Sequence, residues 1–160
     1  ALTAYPELRD VTALRRVEQD YFPVILITCL MQPPNAPSPS DEALVRIRSY
    51  IQSLSRQGLT DVISINKPKI KNINYNVRVW LYPGTVQDQT LAKIEQNLST
   101  LVANQYWLGH DHSLMAINTC CAMSGVHHVE IVEPTTDVMV PLDWIIMVDK
   151  ITVTLAGRTL

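Results

Sequence analysis

One stretch near the middle of the chain, residues 72–84, constrains the fold more than any other. Five aliphatic or aromatic residues alternate there with a second set of five that is polar at first and aromatic at its end. The first set is Ile73, Tyr75, Val77, Val79 and Leu81, and the second is Asn74, Asn76, Arg78, Trp80 and Tyr82. A period of two is typical of a β-strand with one face on a core, and Pro83 with Gly84 ends that strand. Because Trp80 and Tyr82 make the end of the opposite face aromatic, we expect another surface to cover them.

The composition restricts the class of function. The chain has 160 residues, 47% of them hydrophobic, which is enough for a real core. Its formal charge of −2 gives no general attraction to phosphate backbones, so no nucleic-acid partner is expected. The longest uncharged apolar run, Pro23–Met31, is far shorter than the roughly 20 residues of a membrane helix. Cys120 and Cys121 are adjacent and do not suit a disulfide framework, which favours a reducing compartment.

The first half of the chain predicts two strands, a helix and a third strand. The expected strands are Asp10–Val17, Pro23–Met31 and Thr60–Asn66. The stretch Gln32–Ser40 contains four prolines and is expected to be a surface loop. Ser40 is expected to cap a helix that Gly58 ends. The apolar residues of this helix recur at helical spacing, at Leu44, Ile47, Ile51 and Leu54.

The second half predicts a similar order after the central strand. Thr85 and Asp88 resemble a capping box before a helix that ends near Trp107. A shorter helix is expected over Ser113–Ser124, with Gly125 as its C-terminal cap. The remaining expected elements are strands at Val126–Val132 and Ile145–Leu155, on either side of a loop at Glu133–Trp144. The chain therefore predicts an α+β fold of two small strand-helix-strand units, residues 1–68 and 69–160, each with helices on one face of a mixed sheet.

The histidines are spaced so that they could act as metal ligands. His110 and His112 alternate as ligands on a strand would, and His127 or His128 or a thiolate could complete a zinc site. The spacing matches no zinc signature, however. The simpler interpretation makes Asp111 the cap of the third helix. It leaves His110 and His112 in solvent and turns one of the later pair toward the core.

Other catalytic patterns are weaker still. Cys120 or Cys121 on the apolar face of a helix is normally an inert thiol. Asp137, Asp143 and Asp149 lie on turn-like segments without a neighbouring acid that would raise a pKa. We therefore predict no catalytic, cofactor-binding or metal-binding residues. A small metal-dependent hydrolase that uses the histidine and cysteine cluster is the competing hypothesis.

Several short motifs follow one another in a definite order along the chain. They are Leu59-Thr60-Asp61 before a strand, Tyr82-Pro83-Gly84 before a long helix, Leu108-Gly109 before a short helix, Gly125-Val126, Pro134, Asp137, and the terminal strand from Ile151 to Gly157. This order resembles the C-terminal part of baseplate J-like proteins, which are structural wedge proteins of contractile phage tails. The likeness covers most of residues 23–157. The chain departs from the family at Gln57-Gly58, where Arg-Pro is usual, and at His110, where arginine is usual.

The resemblance implies assembly and no reaction, cofactor or small-molecule substrate. Its expected partners are other copies of the chain and other baseplate wedge proteins, in a virion tail baseplate assembled in the host bacterial cytoplasm. Members of the family carry an N-terminal region that nothing here matches, so we expect this chain to be the C-terminal portion. The candidate interface residues are the aromatic and methionine side chains expected at turns: Trp80, Tyr82, Met139, Trp144 and Met147.

Overall fold

A computed structural model of the chain describes residues 5–17, 23–53 and 62–158. Nine helices and strands occur in these ranges: β1 (Leu8–Val17), β2 (Pro23–Met31), α1 (Asp41–Ser53), β3 (Val62–Asn66), β4 (Lys69–Leu81), α2 (Gln87–Asn104), α3 (Leu114–Cys121), β5 (Val126–Glu133) and β6 (Trp144–Arg158). The predicted α+β class is confirmed. In the described ranges, no helix is long and apolar enough to cross a membrane.

The chain divides into two compact units. The first comprises Ala1–Lys69 and Leu142–Trp144, and the second comprises Ile70–Pro141 and Ile145–Leu160. The predicted boundary between residues 68 and 69 stays a prediction, as does separate folding of the segments on either side of it.

The first unit contains a three-stranded mixed sheet in the order β1-β2-β3. Strand β1 pairs antiparallel with β2, and β2 pairs parallel with β3. A parallel pair needs a crossover connection, and α1 supplies it between β2 and β3. The helix begins as predicted, because the Ser40 hydroxyl oxygen accepts a hydrogen bond from the Ala43 N–H at 3.2 Å. The core of this unit is formed by Leu8, Cys29, Met31, Ile47 and Ile65.

Part of the first-half prediction falls outside the described residues. These positions are Leu54 and Gly58 at the predicted end of the first helix, and Leu59, Thr60 and Asp61 in the motif before the third strand.

The second sheet has the order β5-β4-β6, so the central strand of the sequence is also the central strand of this sheet. The alternation is confirmed, because every second residue of β4 from Tyr75 to Leu81 is completely buried. Helices α2 and α3 cover that face. The fully buried members of the core are Tyr75, Val77, Val79, Leu81, Ile94, Leu98, Ile117 and Cys121.

Two predicted helix ends are wrong. Helix α2 has Val86 at its N-cap with no side-chain hydrogen bond, so there is no capping box. The Thr85 hydroxyl instead donates to the carbonyl oxygen of Gly125 at 3.3 Å, and this contact joins two turns 40 residues apart. Helix α3 ends earlier than predicted, at Cys121, with Ala122 as its C-cap. Gly125 lies in the turn that follows and has a φ of +93°.

Gly125→Ala is expected to destabilise the second unit more than Gly84→Ala does. Both glycines have positive φ, which costs about 1 kcal/mol for alanine. At Gly125 the added Cβ would also lie 2.7 Å from Thr85 Cγ2, whereas at Gly84 it meets nothing within 4 Å. Urea unfolding of the two variants checks this. Equal losses would show that the contact with Thr85 relaxes without cost.

Candidate interaction surface

Trp80 and Tyr82 each pair with a histidine at the end of β4. The Trp80 ring lies 5.0 Å from the His128 ring, and the Tyr82 ring lies 5.1 Å from the His127 ring in an edge-to-face arrangement. We call these four residues the aromatic cluster. Tyr82 is 49% exposed, and both histidines are exposed, so the predicted inward position of one histidine is wrong. The cluster presents π faces and imidazole nitrogens on the side of the sheet opposite the core.

A β-bulge explains why both histidines face outward. Trp80 pairs with His128 and Leu81 pairs with Val126, so the register shifts between these two pairs and His127 is the extra residue. A bulge places two residues opposite one and breaks the alternation of faces. The imidazole of His127 is thereby available to Tyr82.

Gly157 on β6 lets Trp80 lie close to the backbone of the neighbouring strand. A Cβ built at Gly157 would be 3.2 Å from Trp80 Cδ1 and 3.3 Å from Nε1. A Cβ at residue 157 would therefore be closer to the indole than ordinary van der Waals contact, and the indole would have to shift by a few tenths of an ångström. Trp80 is half-buried as a result, which makes it a fixed anchor beside the more exposed Tyr82.

Four hydrogen bonds hold the segment between β5 and β6, residues 134–143, to the start of α3. In each of them the donor is a backbone N–H. His112 and Val138 exchange two N–H to carbonyl bonds of 3.0 and 2.9 Å. Asp137 accepts from the Leu114 N–H at 2.7 Å, and Asp111 accepts from the Val140 N–H at 2.8 Å. We call residues 137–140 the Met139 loop. These bonds hold Met139 in a position where 72% of its surface is exposed.

The two aspartates correct the sequence interpretation of this region. Asp111 does not cap α3. Ser113 does, because its hydroxyl oxygen accepts from the Ala116 N–H at 3.2 Å. Asp137 satisfies one of the otherwise free N–H groups in the first turn of the helix, and its negative charge lies where the helix dipole favours it.

His112 anchors this arrangement from inside the core. Its side chain is 1% exposed, and its Nδ1 is hydrogen-bonded to the Tyr75 hydroxyl at 2.5 Å. The predicted solvent position of His112 is therefore wrong. Among the described side chains, none partners His112 Nε2, which is buried. Burial lowers the pKa of His112 to about 4, so the ring is neutral at physiological pH.

The structure places the five predicted interface residues in different environments. Trp80 and Tyr82 are neighbours in the aromatic cluster, and Met139 lies on its own loop. Trp144 is half-buried and lies in the first unit, where the Lys69 ammonium is 5.7 Å from its ring centroid. Met147, on β6, is half-buried in the second unit.

The histidines and cysteines do not form the cluster that a metal-dependent hydrolase requires. Within residues 5–17, 23–53 and 62–158, no three His, Cys, Asp or Glu side chains converge as metal ligands. Burial also raises the pKa of Cys121 to about 12, and the thiolate is the form that binds metals and attacks substrates. No observation on the described part of the chain favours the hydrolase hypothesis.

The chain is similar to known proteins both in sequence and in structure. No protein-family model matches the chain. Baseplate protein J of Escherichia phage P2 is 25% identical over 100 residues, which are 62% of this chain and 33% of that protein. The match therefore spans about a third of the length of this relative.

The structural match is to a chain in the cryo-EM structure of the anti-feeding prophage (AFP) baseplate, 6-fold symmetrised. It covers 92% of this chain and 36% of that chain, with 9% identity and a TM-score of 0.45. The sequence match to baseplate protein J confirms the resemblance that the ordered motifs predicted.

Proposed function

We propose that the chain is a structural wedge component of the baseplate of a contractile-tail phage or a phage-like injection device. The observation that carries this proposal is the match to baseplate protein J over 62% of the chain. The ordered motifs from Leu108-Gly109 to the terminal strand also support it. In this proposal the chain works by protein–protein assembly and performs no reaction.

The partners in this proposal are other copies of the chain and other baseplate wedge proteins, in the tail baseplate of a particle that assembles in the host bacterial cytoplasm.

A direct test is to purify contractile particles from cells that produce the protein and to identify their proteins by mass spectrometry. Labelling with a specific antibody in electron microscopy then locates the chain along the tail. We expect the chain in intact particles and the label at the baseplate end. Particles that assemble with a full tail and lack the chain would exclude the proposed role.

The aromatic cluster is the first surface proposed for assembly. Trp and Tyr are enriched where interfaces are tightest, because each covers a large apolar area with few rotatable bonds. Trp80 is fixed by Gly157 and His128, so little side-chain entropy remains to be lost when a partner covers it. Met139 adds an exposed apolar side chain on a loop that four hydrogen bonds hold in place. Trp144 and Met147 complete the proposed set.

The double variant with Trp80→Ala and Tyr82→Ala is expected to weaken assembly of the chain with its wedge partners by at least about thirtyfold, since truncation of even one tightly packed aromatic anchor costs roughly 2 kcal/mol. A second double variant, Trp144→Ala with Met147→Ala, tests the other proposed anchors separately. Light scattering and wedge reconstitution report the assembly, and melting curves report the fold.

The matched control is Tyr50→Ala with Met115→Ala. It removes one aromatic and one methionine side chain that are 37% and 80% exposed and lie on α1 and α3, outside the proposed surface. We expect this control to assemble as the parent does. If both test variants stay folded and also assemble normally, these residues do not form the interface.

A further inference from the structure

Strand β4 is longer than its neighbour β5. It has 13 residues, Lys69–Leu81, whereas β5 has 8, Val126–Glu133. The pairing of the two strands begins at Asn76, opposite Glu133. Pro134 comes next and has no N–H to donate, so the ladder stops there. In the ranges that the structure describes, no strand lies beside residues 69–75 of β4 on the β5 side.

The main-chain groups of β4 point alternately to its two sides. The Tyr82 N–H, just after the strand, donates to the Gly125 carbonyl at the start of β5, at 3.0 Å. The Val77 carbonyl instead accepts from the Thr154 hydroxyl on β6, at 3.5 Å. The N–H and C=O groups of even-numbered residues in β4 therefore face β5. The even-numbered residues beyond the end of β5 are Ile70, Asn72 and Asn74.

A groove of about 350 Å³ lies at the point where β5 ends. It is lined by Ile73 and Asn74 of β4 and by residues that follow β5, among them Pro134, Thr136 and Val138. The groove thus occupies the first position beside β4 at which the neighbouring strand is missing. It offers an apolar wall from Ile73 and Val138 and a hydroxyl from Thr136.

The groove has a fixed wall and the strand beside it is accessible. Val138 lies in the Met139 loop, which its two main-chain hydrogen bonds with His112 hold in place. On β4, Ile70 is 43% exposed, and Lys71 and Asn72 are also exposed. A lysine at a sheet edge discourages pairing between two copies of the same edge, so Lys71 favours a different protein as the occupant.

We propose that the open side of β4 binds an extended segment of a partner protein, which adds to the sheet as a strand in line with β5. The main-chain groups of Ile70, Asn72 and Asn74 supply the pairing, and they select an extended backbone. Alternate side chains of the segment enter the groove beside Ile73 and Val138, where apolar β-branched residues fit a pleated, half-buried surface. This proposal rests on the strand edge and does not depend on a role in a baseplate.

The test is fluorescence anisotropy with a short labelled peptide in which valine alternates with threonine. A second peptide has the same side chains and an N-methyl group on each internal residue, so it lacks the main-chain donors that a strand needs. We expect the first peptide to bind and the second to bind at least about tenfold more weakly. Amide hydrogen exchange measured by NMR should show new protection at Ile70, Asn72 and Asn74 when the first peptide binds.

Asn72→Pro is expected to weaken binding of the valine–threonine peptide at least about tenfold. It removes the central N–H on the open side and places a ring where the partner strand must approach. Proline is tolerated on an edge whose N–H faces solvent, so the fold should survive. The matched control, Asn72→Val, keeps the N–H and should bind as the parent does. Melting curves show whether each variant is folded, and the N-methylated peptide tests the proposal without any variant.

Four results would overturn the proposal. The first is no binding of the valine–threonine peptide at millimolar concentration, and the second is equal binding of the N-methylated peptide. The third is new protection that is confined to amides outside residues 70–74. The fourth is self-association of the parent that Asn72→Pro abolishes, measured by light scattering, which would assign this edge to a second copy of the chain.

Discussion

Val79→Asp is expected to unfold the second unit. Val79 is completely buried in the middle of β4, between α2, α3 and the flanking strands. A carboxylate there would have no charged partner among the core residues, and an uncompensated buried charge costs roughly 3 to 5 kcal/mol. That cost is a large fraction of the total stability of a small domain. We expect the variant to lose its cooperative unfolding transition in urea. Tryptophan fluorescence and circular dichroism measure this transition.

Asn74→Asp is the matched control for this experiment. It introduces the same carboxylate on the same strand, at a position that is exposed on the opposite face. We expect its midpoint in urea to stay close to that of the parent, because surface substitutions usually change stability by less than about 0.5 kcal/mol. If Val79→Asp melts like Asn74→Asp, then β4 does not lie in the core and the description of the second sheet is wrong.

The fold was predictable wherever the signal is local. The alternation along β4 and the spacing of Leu91, Ile94 and Leu98 on α2 each reflect burial of one face, and the structure buries those faces. Ser40 caps α1 through its hydroxyl oxygen, as its position before two acidic residues predicts. The order of strands in each sheet depends on contacts between distant segments, and no local period encodes them.

The candidate surface was predictable only in part, for the same reason. Trp80 and Tyr82 were identified because they break the polar side of an alternating strand. Their partners His127 and His128 depend on a bulge in β5, which shifts the register by one residue and leaves no periodic signal. The capping box at Thr85 failed because that hydroxyl donates to Gly125, 40 residues away.

His112 shows most clearly what local patterns omit. It follows Asp111 in a polar stretch, so the sequence favours solvent. It is buried because Tyr75, 37 residues earlier, offers a hydroxyl inside the core, and because Val138 pairs with its backbone. Asp111 and Asp137 close the same loop through backbone N–H groups of Val140 and Leu114. A pattern of spacing within one element does not encode such pairs.

The burial of His112 leads to the last prediction, which is that this side chain contributes to the destabilisation of the second unit by acid. Burial lowers the pKa of His112 from 6.5 to about 4, with nearby His110 lowering it further and Asp111 opposing the change. Above about pH 6.5 the ring is neutral in both the folded and the unfolded chain, so its contribution is fully present. As the pH falls toward 4, the unfolded chain binds a proton that the folded chain does not, and the free energy of unfolding decreases.

The expected loss from His112 between about pH 7 and about pH 4.5 is about 2 kcal/mol. Urea unfolding at the two pH values measures the total loss, to which other groups also contribute. His112→Asn removes the titrating ring and keeps an amide near the position of Nδ1, so its loss should be about 2 kcal/mol smaller than that of the parent. Tyr75→Phe removes the hydroxyl partner but keeps the buried imidazole, so it should retain most of the parent's pH dependence. The same pH dependence in His112→Asn as in the parent would mean that His112 titrates as a solvent-exposed histidine, and that the Met139 loop has no buried anchor.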